Sequence, residues 1–262
     1  MYFKQWRTRL MDPGHLETWD DVLGNDSIKA LLQNTLRALE TGKQFRLNTL
    51  LLGDSRQGKT SILEFFLRCI HCRNLSAETL NPNCNPACIS CRNENLRHGD
   101  CDYHPEKGYV YSRVIDCTTA TAQEIHEWFE DVKNTHGTRV MVLDEFARLA
   151  DRVAGQRLLR SLEEPGMLWF ATAISDKNFE PAILRRFNRL ETEPPSLQQL
   201  TKWTCQRMNR QGIKADNNST ISTLIRAAGC SPGVIVEVLR TVEIKPDRTL
   251  TADDLKFLRS IE

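Results

Sequence analysis

The chain has 262 residues, enough for one large domain or two modest ones with a sizeable core. Its hydrophobic fraction of 40% and charged fraction of 26% are ordinary for a globular protein in water. With 35 basic against 34 acidic residues the formal charge is +1, which excludes wrapping by nucleic acid through bulk electrostatics and leaves room only for a local basic patch.

No apolar run approaches the ~18 residues of a membrane span. The N-terminus, Met1-Tyr2-Phe3-Lys4-Gln5-Trp6-Arg7, lacks the apolar stretch of a secretory signal. The expectation is a cytoplasmic protein without a membrane partner. The nine cysteines are an odd number, and five crowd between Cys69 and Cys91. In that compartment such crowding reads as metal binding rather than a disulfide framework.

Residues 1–18 read as an irregular lead-in. Over 26–39, Ile28, Leu31, Leu32, Leu36 and Leu39 recur at helical spacing, with Asp26 as N-cap. Thr49-Leu50-Leu51-Leu52 is a short apolar run that ends at Gly53 and suits a buried parallel strand. A helix is predicted over 61–71. Residues 73–108, rich in Asn, Cys and Pro, read as an irregular insertion. A second strand is predicted over 113–117, a helix over 122–135 and a buried strand over 139–143. A helix over 154–164 stops at Pro165, and a strand follows over 167–174. Strands alternating with helices predict a doubly wound α/β domain. Pro194-Pro195 breaks the pattern, and only helical periodicity follows, over 197–208, 218–228 and 234–242. The predicted organisation is an α/β domain over 1–194 and a small all-helical domain over 195–262. No internal repeat and no low-complexity tract interrupts either.

Gly53-Asp54-Ser55-Arg56-Gln57-Gly58-Lys59-Thr60 fits the phosphate-loop pattern G-x-x-x-x-G-K-[ST], with a strand before it and a helix after it. Gly53 and Gly58 let the backbone curl so that successive amides face phosphates, and the helix N-terminus adds its positive dipole end. Lys59 is assigned to the β- and γ-phosphates of ATP, Thr60 to magnesium, and Ser61 to the same binding set. Val140-Met141-Val142-Leu143-Asp144-Glu145 is the partner motif, an apolar strand that ends in two acids. It places Asp144 beside the magnesium ion and Glu145 where it orients and activates the attacking water. The competing reading, two acids that cap the next helix, is weaker once the first motif is present.

Three further segments carry a family resemblance. Arg157-Leu158-Leu159-Arg160-Ser161-Leu162-Glu163-Glu164-Pro165 resembles a run that follows the acidic motif in bacterial clamp-loader subunits. Trp19-Asp20-Asp21-Val22-Leu23-Gly24-Asn25 looks like their N-terminal box, and Pro181-Ala182-Ile183-Leu184-Arg185-Arg186-Phe187 is similar to their segment ending in Ser-Arg-Cys. The chain thus resembles the AAA+ clamp-loader family of DNA polymerase III gamma/tau and delta-prime type, in order from about residue 6 to about residue 240, as a divergent member.

The resemblance implies a P-loop AAA+ parallel-sheet domain with a zinc-binding insertion, followed by a helical lid. It implies that Val22 helps to enclose the adenine. It also implies that Arg186 is supplied in trans to a neighbour's ATP, with Arg185 as the substitute. A polar residue at the end of the strand 167–174 would sense the γ-phosphate, and Thr172 and Ser175 compete for that role. Three departures stand out. Gly229-Cys230-Ser231-Pro232-Gly233 carries no lid arginine, as in delta-prime. Thr118-Thr119-Ala120-Thr121-Ala122 lacks the basic residues that gamma-like subunits turn to DNA. The family's helical collar domain has no counterpart in these residues.

Cys72, Cys84, Cys88 and Cys91 match the family's zinc module in position, within an insertion of about 69–104, although three residues rather than two separate Cys84 from Cys88. Four thiolates would close a structural zinc site and order the insertion. Cys69 competes with Cys72, and Cys101 and His104 compete as ligands. Cys117, Cys205 and Cys230 read as ordinary core thiols. Trp169, Phe170 and Trp203 read as packing residues rather than base-stacking ones. Arg148, Arg152, Arg157 and Arg160 read as a solvated helix face rather than a DNA channel.

The function this implies is an ATP-binding and ATP-hydrolysing subunit of a ring or partial ring. Its partners would be other clamp-loader-type subunits, a sliding clamp and primer–template DNA. Two alternatives remain open at the level of sequence: an ATP-bound scaffold without turnover, and a phage or mobile-element AAA+ adaptor that remodels another protein–DNA complex.

Overall fold

The computed structural model describes residues 16–42, 45–84, 101–104, 108–149 and 158–255. The apolar runs form strands laid side by side. β1 (Leu47–Leu52), β4 (Thr138–Asp144) and β5 (Met167–Ala173) are buried along nearly their whole length. Strands covered by helices on both faces must be apolar in this way. With β2 (Cys101–His104), β3 (Gly108–Asp116) and β6 (Asn188–Glu191) they make one sheet of order β2-β3-β4-β5-β1-β6. Every pairing is parallel except that of β2, which runs antiparallel on the edge beside β3.

Side chains alternate between the two faces with the strand period of two. Leu51, Val140, Val142, Leu168 and Phe170 point to one face, where they meet α1 (Asp26–Glu40), α2 (Lys59–His71) and Trp19. Leu50, Met141, Leu143, Trp169 and Ala171 point to the other, where Ile125, Trp128 and Phe129 of α3 (Ala122–Val132) cover them. Trp169 and Phe170 are fully buried, in agreement with their reading as packing residues. Trp19 sits edge-on to Phe65 with ring centroids 4.9 Å apart, and its indole N–H donates to the Leu80 carbonyl at 2.8 Å. The start of the insertion is thereby tied to the N-terminal turn. Arg139 is buried because its guanidinium donates to the carbonyls of Lys133, Pro165 and Gly166, stapling the turns on both sides of the sheet's lower edge.

Several predicted bounds change. β3 begins at Gly108 rather than Arg113, since its first residues pair with β2 inside the supposedly irregular insertion. β6 was not expected at all: as an edge strand with exposed residues it carries no apolar signature. α2 begins at Lys59, directly after the left-handed Gly58. Of the helix predicted over 154–164, residues 154–157 lie outside the described residues. Leu158 and Leu159 are helical, and a 3-10 turn, Ser161–Glu163, replaces the rest before Pro165.

After the short helix α4 (Pro181–Leu184) and β6, the chain passes through Pro194 and Pro195 into α5 (Leu197–Gln211), α6 (Asn218–Ala227) and α7 (Pro232–Glu243). These helices enclose their own apolar cluster, with Leu200, Leu224, Ile235 and Leu239 fully buried. The segment is not all-helical: β7 (Lys214–Ala215) pairs in parallel with β8 (Thr249–Leu250). These two-residue strands are too short to show in the hydrophobic pattern. No helix among the described residues is long and apolar enough to cross a membrane.

The connection into α5 is pressed against the N-terminal turn. Asn25 Oδ1 accepts from the Glu193 amide at 2.9 Å. Gly24 has φ +58, and a Cβ there would lie 2.6 Å from the Glu193 carbonyl oxygen. Gly24→Ala therefore meets both a left-handed backbone and a backbone collision. It is expected to lower stability by about 1–3 kcal/mol in urea titrations. A loss under about 0.5 kcal/mol would show that residues 24 and 193 are not in close contact.

Candidate functional site

The carboxyl ends of β1, β4 and β5 are neighbours in the sheet, the place where open α/β sheets hold ligands. The loop 53–58 leaves β1 there. The Gly53 amide donates to the Ala173 carbonyl at 3.2 Å, and a Cβ on Gly53 would fall 1.8 Å from Thr192 Oγ1. Only glycine fits. Arg56 and Gly58 adopt left-handed backbone, with φ of 64° and 81°. The loop then turns into α2, whose N-terminus opens on a cleft of about 200 Å³ lined by Ser55, Lys59, Thr60, Ser61, Asp144 and Thr172, among others.

Lys59 is 8% exposed, and its ammonium donates to the carbonyls of Gly53 and Asp54, each at 2.7 Å. Burial pushes its pKa below the usual lysine value, and the carboxylates of Glu145, Asp144 and Asp54 push back. A half-desolvated cation among three acids is poised to exchange its two carbonyl partners for an anion.

Asp144 Oδ1 accepts two hydroxyls, Thr60 Oγ1 at 2.7 Å and Thr172 Oγ1 at 2.6 Å. The Thr172 oxygen in turn accepts the Glu145 amide at 3.0 Å. Thr172 thus orients both acids: one through its carboxylate, the other through its backbone. Glu145 has φ 57 and stands before the 3-10 turn Phe146–Arg148 without a side-chain capping bond, so the reading of the two acids as helix caps is not what the geometry shows. Its left-handed backbone is a strained feature of the kind that functional sites hold. Ser175 instead accepts from the Lys177 amide, in the loop after β5.

Other residues singled out in the sequence fall in different places. Ser61 is exposed at the cleft, whereas Val22 is 3% exposed and packed into the core behind it. Leu23 and Asn25 are the residues of that segment that border the cleft beside the loop. With Gln57, residues 193–195 and residues 229–232 they line this second cleft, of about 210 Å³. No spacing rule in the sequence separates Leu23 from Val22. A larger cleft of about 330 Å³, between residues 16–21 and α5, holds Trp203 and Arg210 and is remote from the loop. Trp203 packs into the C-terminal cluster with the Arg207 guanidinium 5.3 Å above its ring. Cys117 is buried, and burial, then Asp144, Asp116 and Glu145, raises its thiol pKa so that it stays protonated, as a core thiol should.

Arg186 lies away from this cleft. Its guanidinium donates through Nε and Nη2 to Glu163 Oε1 and through Nη1 to the Ala182 carbonyl, while Arg185 is exposed. Arg148 and Arg160 are exposed, and Arg152 and Arg157 lie outside the described residues. Cys72 and Cys84 bring their sulfurs to 3.3 Å, which puts both within reach of one ion. Cys69 is buried in the core cluster under α2. Cys88 and Cys91 lie outside the described residues, and so do the side chains of Cys101 and His104. Among the described residues no group of three or more His, Cys, Asp or Glu side chains could hold a metal ion.

No family model matches the chain, and no curated protein matches it. Solved structures do. A variant of RuvB from Thermotoga maritima superposes with a TM-score of 0.63 at 13% identity, covering 95% of this chain and 73% of that one. A second variant gives 0.61 at 13% identity with the same coverage. The Thermotoga maritima RuvB described as a Holliday junction branch migration motor gives 0.61 at 15%, again covering 95% and 73%. The chain therefore shares the fold of these RuvB structures. At this identity the likeness defines the fold and assigns no family within it.

The hub role of Thr172 is directly testable. Thr172→Val keeps the shape but leaves the Glu145 amide and Asp144 short of a partner. It is expected to cost about 1–3 kcal/mol in stability, whereas Thr172→Ser keeps the hydroxyl and should cost less. Equal effects of the two in chemical denaturation would remove the hub.

Proposed function

We propose that this chain is an ATPase subunit that binds ATP with magnesium and turns it over within an oligomer. The observation that carries the reading is the convergence of Thr60 and Thr172 on Asp144 Oδ1, with Lys59 buried beside them, at the mouth of a glycine-built loop. The residues present suit a triphosphate: amides at a helix N-terminus, a cation held by two neutral carbonyls, and a hydroxyl–carboxylate pair for a divalent ion. Lys59 would leave the Gly53 and Asp54 carbonyls for the β- and γ-phosphates. Thr60 and Asp144 would hold the magnesium ion, which when bound neutralises charge on the phosphate oxygens. Glu145, oriented by its amide bond to Thr172, would position the attacking water. Leu23, Asn25 and residues 229–232 would flank the nucleoside end, with Val22 supporting them from behind.

The finer assignment rests on the sequence resemblance. In it the chain is a sliding-clamp loader subunit in a ring or partial ring, acting on a clamp and primer–template DNA. Residues 1–194 form the nucleotide domain and 195–262 the lid, and Arg186 serves a neighbour's ATP after leaving Glu163. The RuvB likeness is one of fold and gives equal support to an adaptor that remodels another protein–DNA complex. The scaffold reading is favoured by residues 229–233, which bring no cation to the cleft.

Hydrolysis by the purified chain, alone and with clamp, partner subunits and primed DNA, tests these readings. Lys59→Ala is expected to weaken ATP binding at least about tenfold. Glu145→Gln should keep binding and slow turnover on the order of 100-fold. Stimulation by clamp and primed DNA together supports the loader. ATP held without turnover in every mixture leaves the scaffold, and no ATP binding at all sinks both.

We also propose that Cys72 and Cys84 are two of four zinc thiolates, completed by Cys88 and Cys91. Elemental analysis should find one zinc per chain, lost in Cys72→Ser and Cys84→Ser with a lowered melting temperature. A metal-free protein with unchanged melting on chelator treatment would exclude the site.

A further inference from the structure

Two residues of the phosphate loop, Arg56 and Gln57, bond to groups outside the phosphate cleft, although Arg56 also lines it. Arg56 stands at the tip of the loop with φ 64, a backbone that a long side chain adopts only where its surroundings hold it. Its Nη1 donates to Glu237 Oε2 at 3.1 Å, on α7. Its carbonyl accepts from Ser231 Oγ at 3.2 Å, and Ser231 is the N-cap residue of that same helix. A Cβ on Gly233, in the first turn of α7, would come within 2.9 Å of the Arg56 carbonyl oxygen, so the helix and the loop are packed backbone to backbone. The next loop residue, Gln57, is hydrogen-bonded through its side chain to Thr192, where the chain leaves β6 for the C-terminal helices. The loop is therefore gripped at both ends of the segment that carries α5–α7. At this junction the cation comes from the loop rather than from the helices, since residues 229–233 contain none.

We propose that Arg56 is a positioning residue: through Glu237 and Ser231 it seats α7 on the phosphate loop, so that filling the loop and placing the C-terminal helices are one coupled equilibrium. The proposal rests on the nucleotide reading above. Arg56 is given no contact with phosphate; it acts through the backbone of the loop. A rearrangement that moves the Arg56 carbonyl must break or reform the Ser231 bond and the Gly233 approach. By linkage, whatever fixes α7 must change the affinity of the loop for its ligand by the same factor. The Arg56 and Glu237 side chains are 49% and 52% exposed, so their ion pair is screened by salt and alone changes an equilibrium by only about three- to fivefold.

The test uses the full chain with magnesium and a fluorescent ATP derivative as probe. Affinity is measured for the unaltered protein, Arg56→Gln, Glu237→Gln, the double variant and Gly233→Ala, and hydrogen exchange is followed at the α7 amides with and without the probe. In the unaltered protein, probe binding should slow exchange in α7. Arg56→Gln and Glu237→Gln should each weaken binding about three- to fivefold, the double variant should be no worse than either single one, and the difference should vanish near 1 M salt. Gly233→Ala places a Cβ within 2.9 Å of the Arg56 carbonyl oxygen and must push α7 off the loop, so coupling predicts weaker binding together with faster α7 exchange; binding equal to that of the unaltered protein overturns the coupling. Probe binding that leaves α7 exchange unchanged, or additive losses in the double variant, overturns the coupling and leaves the nucleotide site standing. An unaltered protein that does not bind the probe overturns the nucleotide reading itself.

Discussion

The insertion of β1 between β5 and β6 is the constraint on which the rest of the molecule depends. β1 and β5 are buried and β6 closes the edge beside them; all three run parallel, so their carboxyl termini form one rim. The backbone continues the ladder one step past the strands: the Gly53 amide reaches Ala173, and the Thr192 amide reaches Leu52 at 2.7 Å. Those two bonds fix the start of the phosphate loop and the start of the chain leading to α5 relative to each other. The 1.8 Å approach of Thr192 to a notional Gly53 Cβ is the same constraint seen from the side-chain direction.

On that rim the polar chemistry is arranged by a few short bonds. One oxygen of Asp144 collects hydroxyls from α2 and β5, and Thr172 passes the order on to the Glu145 backbone. Lys59 is kept close by burial against two carbonyls. Burial lowers its pKa against the opposing pull of the nearby acids. The arrangement is held by the sheet rather than by the loop, because Asp144 and Thr172 stand on adjacent, fully paired strands. A site with rigid acids and an adjustable cation suits a ligand that arrives with its own charge and metal.

Among the described residues, the C-terminal helices meet this site at the segment 192–195, at the Ser231 cap with the close approach of Gly233, and through the Arg56–Glu237 pair. Their own core is separate from the two faces of the sheet, with Leu23 the main apolar residue from the N-terminal turn packed on it. Few contacts cross between two well-packed bodies, which is the arrangement in which relative motion is expected. The phosphate loop touches both.

Much of this was legible in the sequence. The loop 53–60, the acids after β4, the buried strands and the helices α1, α3, α5, α6 and α7 follow from local rules, because glycine geometry, apolar periods and capping residues act over a few neighbours. Local patterns do not describe partners brought from far along the chain. The edge strands β2 and β6 carry no apolar signature and exist only because a neighbour offers its backbone. Thr172 and Ser175 are equivalent in sequence, and only the parallel register of β4 and β5 sets Thr172 beside Asp144. Val22 and Leu23 are adjacent apolar residues, and packing alone turned the first to the core and the second to the cleft. The binding of Arg186 by Glu163, and of Arg56 by Glu237, joins residues 23 and 181 positions apart. The sequence by itself determined which chemistry the chain carries; the tertiary structure decided which of those groups meet, because long-range contacts are set by the stacking of the sheet and not by spacing along the chain.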